Sequence, residues 1–352
     1  MATLTETARV ARIAIKVGGL VLVVMIVGRF LVDIGVKYWK AAHPPPLPSP
    51  TMAFGVLPTV IFPQRLPITL TYTLQLPSGK WPTLSDRAEV FLMPEKRPRF
   101  LADEASIADA ADLGFKDKPE IKSDTVFRFV KTQPLTTTLE MNIYTGKFNY
   151  VVDWLSDPNY LLVKKLPSDT QAMEEVKVFL KQANLMPNDL IKGDVQITYL
   201  KASGGSLKKT VSLSEADFIN VDIFRAKIGG NLTVTTPDPE QGVVRGIVSG
   251  NTSGGRIVKL EYNYYPVDYN STATYPLKPA EQAWTDLIEG KGYLARLDPG
   301  VTEAIIRRIE LSYYDAYEPQ PYLQPVYVFR GDDNLVAYVP ALSTTPGETT
   351  SP

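Results

Sequence analysis

The chain has 352 residues, with 37 basic and 38 acidic side chains, one histidine and no cysteine. A formal charge of −1 argues against a nucleic-acid partner, which would call for a basic face. A lone His43 and zero Cys exclude thiol chemistry, iron–sulfur clusters, Ser-His-Asp triads and the usual zinc ligand sets, so neither a cofactor nor an enzymatic activity is expected.

After a short head, residues 1–12, comes the run Ile13 to Val36, closed by Lys37-Tyr38-Trp39-Lys40. Twenty residues separate Lys16 from Lys37, which as a helix span about 30 Å, the thickness of a hydrocarbon core. Val17, Leu22 and Ile26 would face lipid, and Tyr38 and Trp39 suit the interfacial belt. Arg29 and Asp33 interrupt the run at i,i+4 spacing in its last two turns, where an arginine can snorkel outward. A cleaved signal peptide would need a small-x-small site, and Lys40-Ala41-Ala42-His43 before prolines is a poor one. A lipoprotein has no cysteine to acylate, and a buried core helix would not be followed by a proline linker. The expectation is a retained transmembrane signal anchor over 13–40. The basic residues on its two sides nearly balance, and a head too short to be a cytoplasmic domain worth tethering favours the N-terminus inside and the body outside the cytoplasm.

Residues 41–67, with eight prolines from Pro44 onward, are expected to form a stiff extended stalk at about 3.1 Å per residue. Phe54, Val60, Ile61 and Phe62 are too apolar for a plain linker, and suit contact with the body's surface or with a partner.

Beyond the stalk the pattern alternates helices and strands. Ile68–Leu76 and Ala88–Met93 are expected strands, and Ala105–Leu113 is a short helix ended by Gly114. Strands over 124–131, 136–144 and 147–154 complete a first domain, 68–166. Ser168 caps a helix over 169–184 with one apolar stripe through Ala172, Val176 and Leu180. Strands at 195–201, 208–213, 218–228, 242–249 and 256–264 lead to a helix over 279–289, and strands at 303–314, 323–329 and 335–339 close a second domain, 167–342. The tail 343–352 is Thr/Ser/Pro/Gly-rich and is expected to be disordered. A helix, a glycine, an aromatic and three strands recur in 105–154 and 280–339. The expected fold is therefore α+β: an anchor helix and two antiparallel-sheet domains, each with a helix on one face, in tandem.

Three motifs have bland readings. Ser206-Leu207-Lys208-Lys209 fits the S-x-x-K nucleophile spacing, but it follows Gly204-Gly205 in an expected hairpin rather than on a helix. Arg330-Gly331-Asp332-Asp333-Asn334 suits a tight turn. Asn231, Asn251 and Asn270 head sequons that matter only on a eukaryotic secretory route. The tyrosines crowded at 262–275 and 313–327 are expected in cross-strand packing, or as a partner surface through Tyr262, Tyr264, Tyr313 and Tyr322 together with Phe54 and Phe62.

The run Ala280-Glu281-Gln282-Ala283-Trp284-Thr285-Asp286-Leu287-Ile288-Glu289-Gly290-Lys291-Gly292, with Ile309-Glu310-Leu311-Ser312-Tyr313-Tyr314, Leu323-Gln324-Pro325-Val326-Tyr327-Val328-Phe329 and Tyr338-Val339-Pro340-Ala341, resembles the C-terminal repeat (279–341) of YycH/YycI-type proteins. Those are related to PepSY and β-lactamase-inhibitor-like modules. The resemblance implies one N-terminal span, an extracytoplasmic body and regulation through contact with another membrane or envelope protein, a sensor kinase in that family. The long proline segment and the unmatched middle depart from the pattern, and the chain also looks like uncharacterised bacterial single-span proteins. A structural role in a cell-envelope assembly is the alternative.

Overall fold

The long apolar stretch forms one uninterrupted helix, α1 (Leu4–Ala42), in a computed structural model that describes residues 4–42, 49–64, 70–94, 99–162, 165–251 and 255–343. His43, residues 44–48 and 65–69 of the expected stalk, and the tail from 344 lie outside those residues. The helix begins well before the expected anchor, because Leu4 to Arg12 contain neither Gly nor Pro to stop it. Its segment Lys16–Trp39 is long and apolar enough to cross a bilayer. Val17, Leu22, Ile26, Tyr38 and Trp39 are all exposed.

Residues 1–49 and 50–352 form separate units. In chain order the second contains β1 (Thr71–Leu74), β2 (Arg87–Leu92), α2 (Ala102–Asp112), β3 (Glu120–Ser123), β4 (Val126–Lys131), β5 (Thr137–Asn142), β6 (Phe148–Val152), α3 (Asn159–Leu162) and α4 (Asp169–Gln182). These are followed by α5 (Asn188–Ile191), β7 (Val195–Ser203), β8 (Ser206–Thr210), β9 (Phe218–Ile223), β10 (Val234–Thr235), β11 (Val244–Ser249) and β12 (Ile257–Tyr262). The last third holds β13 (Asp268–Pro276), α6 (Ala280–Ile288), β14 (Tyr293–Arg296), β15 (Glu303–Tyr314), β16 (Tyr322–Gly331) and β17 (Val336–Pro340).

These strands make two sheets, and the fold is α+β. The nine-stranded sheet runs β3-β4-β5-β6-β12-β11-β9-β7-β8, every pair antiparallel. The eight-stranded sheet has the path β1-β15-β16-β17-β14, with β10 also on β15, and β2 joining β13 to the end of β16. Two of its pairs are parallel: β1 lies along Glu303–Ile306 of β15 and β10 along Tyr313–Tyr314.

The expected division at residue 166 does not coincide with the division into sheets. β6 pairs with β12, so one sheet runs through that boundary, while β1 and β2 pair with strands from the other end of the chain. The physical reason is that each β-edge must find a partner, and the backbone groups of β6 and β1 meet theirs far along the sequence. The helix-glycine-aromatic pattern does recur: Gly114 and Gly290 end their helices at φ of +89° and +78°, followed by buried Phe115 and Tyr293. The strand orders differ, however, since β3 pairs with the next strand whereas β14 pairs with β17.

Helix α4 has a full capping box between Ser168 and Gln171 and lays Ala172, Val176 and Leu180 on the nine-stranded sheet. It comes so close that a Cβ at Gly246 would meet Val176 at 2.6 Å. On the other sheet, α6 packs against β17, with Ala283 and Leu287 buried and Trp284 against Phe329. Four strands escape the sequence reading: β13 carries Asp, Asn, Ser and Pro, residues of turn chemistry, and β3, β10 and β14 are each no more than four residues long. The expected strand 218–228 ends at Ile223, after which the chain leaves for the other sheet.

Candidate binding site beneath the proline segment

Residues 50–64 of the expected stalk are not a free spacer; they are laid along the eight-stranded sheet. Met52 donates its backbone N–H to Thr274 O at 3.0 Å, and Thr274 N donates to Thr51 Oγ1 at 3.0 Å. Tyr275 Oη donates to Gly55 O at 2.9 Å, and Gln324 Nε2 to Pro58 O at 2.9 Å. The side chains alternate as in a strand: Val60 is buried, Ile61 is 82% exposed and Phe62 turns back inward. Phe62 stacks on Tyr293 (5.2 Å between centroids, 10° between planes) and meets Tyr314 edge-on at 4.9 Å. Phe54 lies 5.1 Å from the Tyr322 ring. Extended, proline-interrupted chain on aromatic side chains is a favourable pairing, because it brings few unpaired N–H groups and little conformational entropy to lose.

Between this segment and the turn 314–321 is a cleft of about 330 Å³. Pro58, Val60 and Phe62 form one wall; Tyr314, Ala316 and Pro321 line the other side. The neighbouring phenols are engaged: Tyr293 Oη donates to Pro237 O at 3.1 Å, Tyr317 Oη to Gln241 O at 2.7 Å, and Tyr338 shares a 2.6 Å bond with Thr235. The Tyr314 hydroxyl is buried and has no hydrogen-bond partner among the described residues. Burial pushes the Tyr314, Tyr317 and Tyr338 phenols well above their ordinary value, so each remains a protonated donor.

The six aromatic residues expected to meet a partner are occupied by the chain itself. Tyr262 stacks on Phe148 and donates to Leu185 O at 3.1 Å, and Tyr313 donates to Glu89 O at 2.8 Å; both are buried. Tyr264 is buried beside Arg225, whose guanidinium carbon lies 4.6 Å from its ring centre. Tyr322 is half-buried under Phe54, and Phe62 is inside the aromatic group just described. The reason is steric and solvational: aromatic rings at alternating strand positions bury more area between sheets than they would in a flat outer surface.

What the sequence reading passed over is the charged joint between the sheets. Arg225, just after β9, donates from Nε to Asp315 Oδ2 at 2.8 Å and from a terminal nitrogen to Tyr265 O at 2.8 Å, and it pairs with Asp189. Tyr264 and Tyr269 also donate to Asp189, at 3.1 and 3.0 Å. Burial works against the Arg225 charge, yet Asp315 and Asp189 outweigh it and hold its pKa well above the usual value. The signal in the sequence was an arginine close behind the apolar run FINVDIF.

The remaining motifs settle as turns and strands. Ser206 starts β8 and donates to Ser203 O, while Lys209 pairs with Glu240. Asp332 is held by Arg307, and Asp333 and Asn334 adopt φ of +52° and +56° at the hairpin tip. A second, more open cleft of about 610 Å³ lies along α4, where Gln171, Glu174, Glu175 and Arg256 surround Phe179. Its charges are largely committed, with Arg256 on Glu175 at 3.1 Å and Lys181 on Glu174 at 3.6 Å.

No family model matches the chain, and no curated protein does. Among solved structures, an uncharacterized protein from Eubacterium rectale aligns over 76% of this chain and 86% of its own, at 11% identity and a TM-score of 0.35.

Proposed function

We propose that this chain is a single-pass membrane protein whose body acts outside the cytoplasm by binding another membrane or envelope protein, in a regulatory role of the YycH/YycI kind. The observation that carries the reading is α1: the apolar side chains of Lys16–Trp39 are exposed throughout. The absence of cysteine accords with a body exported without disulfides. The alternative, a spacer in an envelope assembly, has less support now that residues 50–64 are docked.

Crosslinking in native membranes tests the regulatory reading. Full-length protein is compared with a version starting at Pro50, each followed by affinity capture and identification of what is attached. One recurrent membrane protein recovered with the full chain supports regulation at the membrane. Recovery of the chain alone, or of a broad set of wall components, sinks it in favour of the assembly role. Inserting twenty Gly/Ser residues after Ser49 separates the two further: a regulator that touches its partner near the bilayer loses the crosslink.

A further inference from the structure

We propose that the outer edge of β1 pairs with the same edge of a second copy of this chain, joining two eight-stranded sheets across a two-fold axis through Thr73. A strand at the rim of a sheet offers unpaired backbone groups to any other strand, and proteins guard such rims with charge, proline, broken register or extreme shortness. Among the described residues, five of the six rim strands are guarded in this way. β3 carries Glu120, Lys122 and a register shift, and β8 carries Lys208 and Lys209. β13 has a register shift and Pro276, β14 has a register shift and Arg296, and β10 is only two residues long. The segment of β1 is different. It reads Leu70-Thr71-Tyr72-Thr73-Leu74-Gln75-Leu76, with neither charge nor proline, and its register on β15 is unbroken.

The hydrogen bonds show which groups are open. Thr71 N–H donates to Thr302 O at 3.0 Å and Gln75 N–H to Ile306 O at 2.9 Å, so the N–H and C=O groups of Tyr72 and Leu74 point away from β15. No other described strand or loop bonds to them. An antiparallel pairing centred on Thr73 sets Tyr72 of one copy opposite Leu74 of the other, and satisfies all four open groups of each copy. The residue pattern is symmetric about the same point. Leu70 faces Leu76, Thr71 faces Gln75 and Thr73 faces itself, so apolar meets apolar and polar meets polar with no charge in the seam. Leu70, Tyr72, Leu74 and Leu76 are only partly buried on the α6 side of the sheet, where Tyr72 meets Trp284 edge-on at 6.5 Å and Ile288 is 54% exposed. A second copy covers that apolar margin. This pairing stands independently of the protein-contact reading above.

A seam this short is weak in dilute solution, so the test uses full-length protein in proteoliposomes, where copies meet at high effective concentration. The chain has no cysteine, so a single introduced one reports a single position. In a non-hydrogen-bonded antiparallel pair the facing Cα atoms lie about 4.5 Å apart, within disulfide reach. Under mild oxidant Thr73→Cys should therefore crosslink to itself about tenfold faster than Thr71→Cys or Gln75→Cys does, while a mixture of those two crosslinks one to the other. Thr73→Lys sets two like charges face to face and should lower the dimer fraction several-fold, read by energy transfer between labelled copies, at the melting temperature of the parent. Equal crosslinking rates for the three single cysteines would mark random collision and overturn the proposal. So would a folded Thr73→Cys chain that stays monomeric, or a Thr73→Lys variant that pairs as the parent does.

Discussion

The two sheets of the body are built from the chain in opposite ways. The nine-stranded sheet takes its strands from one stretch, 120–262, and its neighbours are mostly neighbours in sequence. The eight-stranded sheet is closed by residues from both ends: β1 pairs with β15, from Thr71 against Glu303 to Leu74 against Ile306, and β2 pairs with β13 and β16. Loop-closure entropy makes the first kind of sheet easier to reach, so it is expected to form early and to present a template for the second. Only one excursion, 224–243, leaves the nine-stranded stretch to add β10 to the other sheet, and Arg225 stands at its start. The two constructions are therefore joined at a buried charge rather than by a shared strand.

Breaking that joint should produce the largest effect. Arg225→Met leaves Asp315, fully buried, without its counter-charge, at a cost of about 3–5 kcal/mol. Denaturation followed by circular dichroism and by the fluorescence of Trp154 and Trp284, one beside each sheet, should change from one transition to two. A single transition at an unchanged midpoint would show that the joint does not couple the sheets.

A pair of glycine substitutions sharpens the contrast. Gly193 approaches Phe224 O and Gly331 approaches Ile305 O so closely that an added Cβ would lie 1.8 and 1.9 Å from those oxygens. Alanine at either position should cost about 3 kcal/mol through forced backbone shifts. Hydrogen exchange should then show Gly331→Ala loosening β15 and β16 alone, and Gly193→Ala loosening both sheets, if the nine-stranded sheet is the template.

A smaller loss, about 2 kcal/mol, is expected for Phe62→Ala, which removes a half-buried ring from the Tyr293, Tyr314 and Tyr338 group. Limited proteolysis should cut within 50–64 before any site in 120–262. Protection equal to that of the parent chain would mean that the backbone bonds at Met52 and Pro58 hold the segment unaided.

The smallest effect is one of pH. Burial acts to raise the Asp286 pKa, but Lys278 at 2.7 Å and Lys291 at 3.2 Å outweigh it and hold it below the ordinary carboxylate value of 3.8. A depressed folded pKa contributes stability that is complete above the unfolded value and lost as pH falls through the folded one. Asp286→Asn should flatten the decline in stability of the eight-stranded sheet below about pH 4, measured by unfolding at pH 7 and pH 3. An identical acid slope in the variant would assign the decline to other carboxylates.

Much of this architecture was legible in residue order. The helix over 169–184 was legible from Ser168 and its apolar stripe, and the helix over 279–289 from Pro279 and Gly290; both ends agree with the structure to within two residues. Hairpin tips at Gly204-Gly205 and Asp333-Asn334 were legible because turn chemistry is local. Phe54 and Phe62 were legible as residues needing cover, but not as residues covered by Tyr322 and Tyr293. Strand β13 was hidden by its Asp, Asn and Pro, which sequence alone assigns to turns although Ala273 and Tyr275 are buried.

By itself, then, the sequence determined what short-range physics decides: an apolar helix of membrane-crossing length, the alternation that makes strands, the caps and turns that end each element, and an α+β composition. Only the tertiary structure decided which strands share a sheet, where the proline segment rests, and that Arg225 meets Asp189 and Asp315. Those outcomes depend on pairing backbone edges and burying charge across separations of 36 to 232 residues, as between Asp189 and Arg225 or Thr71 and Glu303. No periodicity within a strand or helix encodes such a meeting, because one alternating pattern fits many edges and packing selects among them.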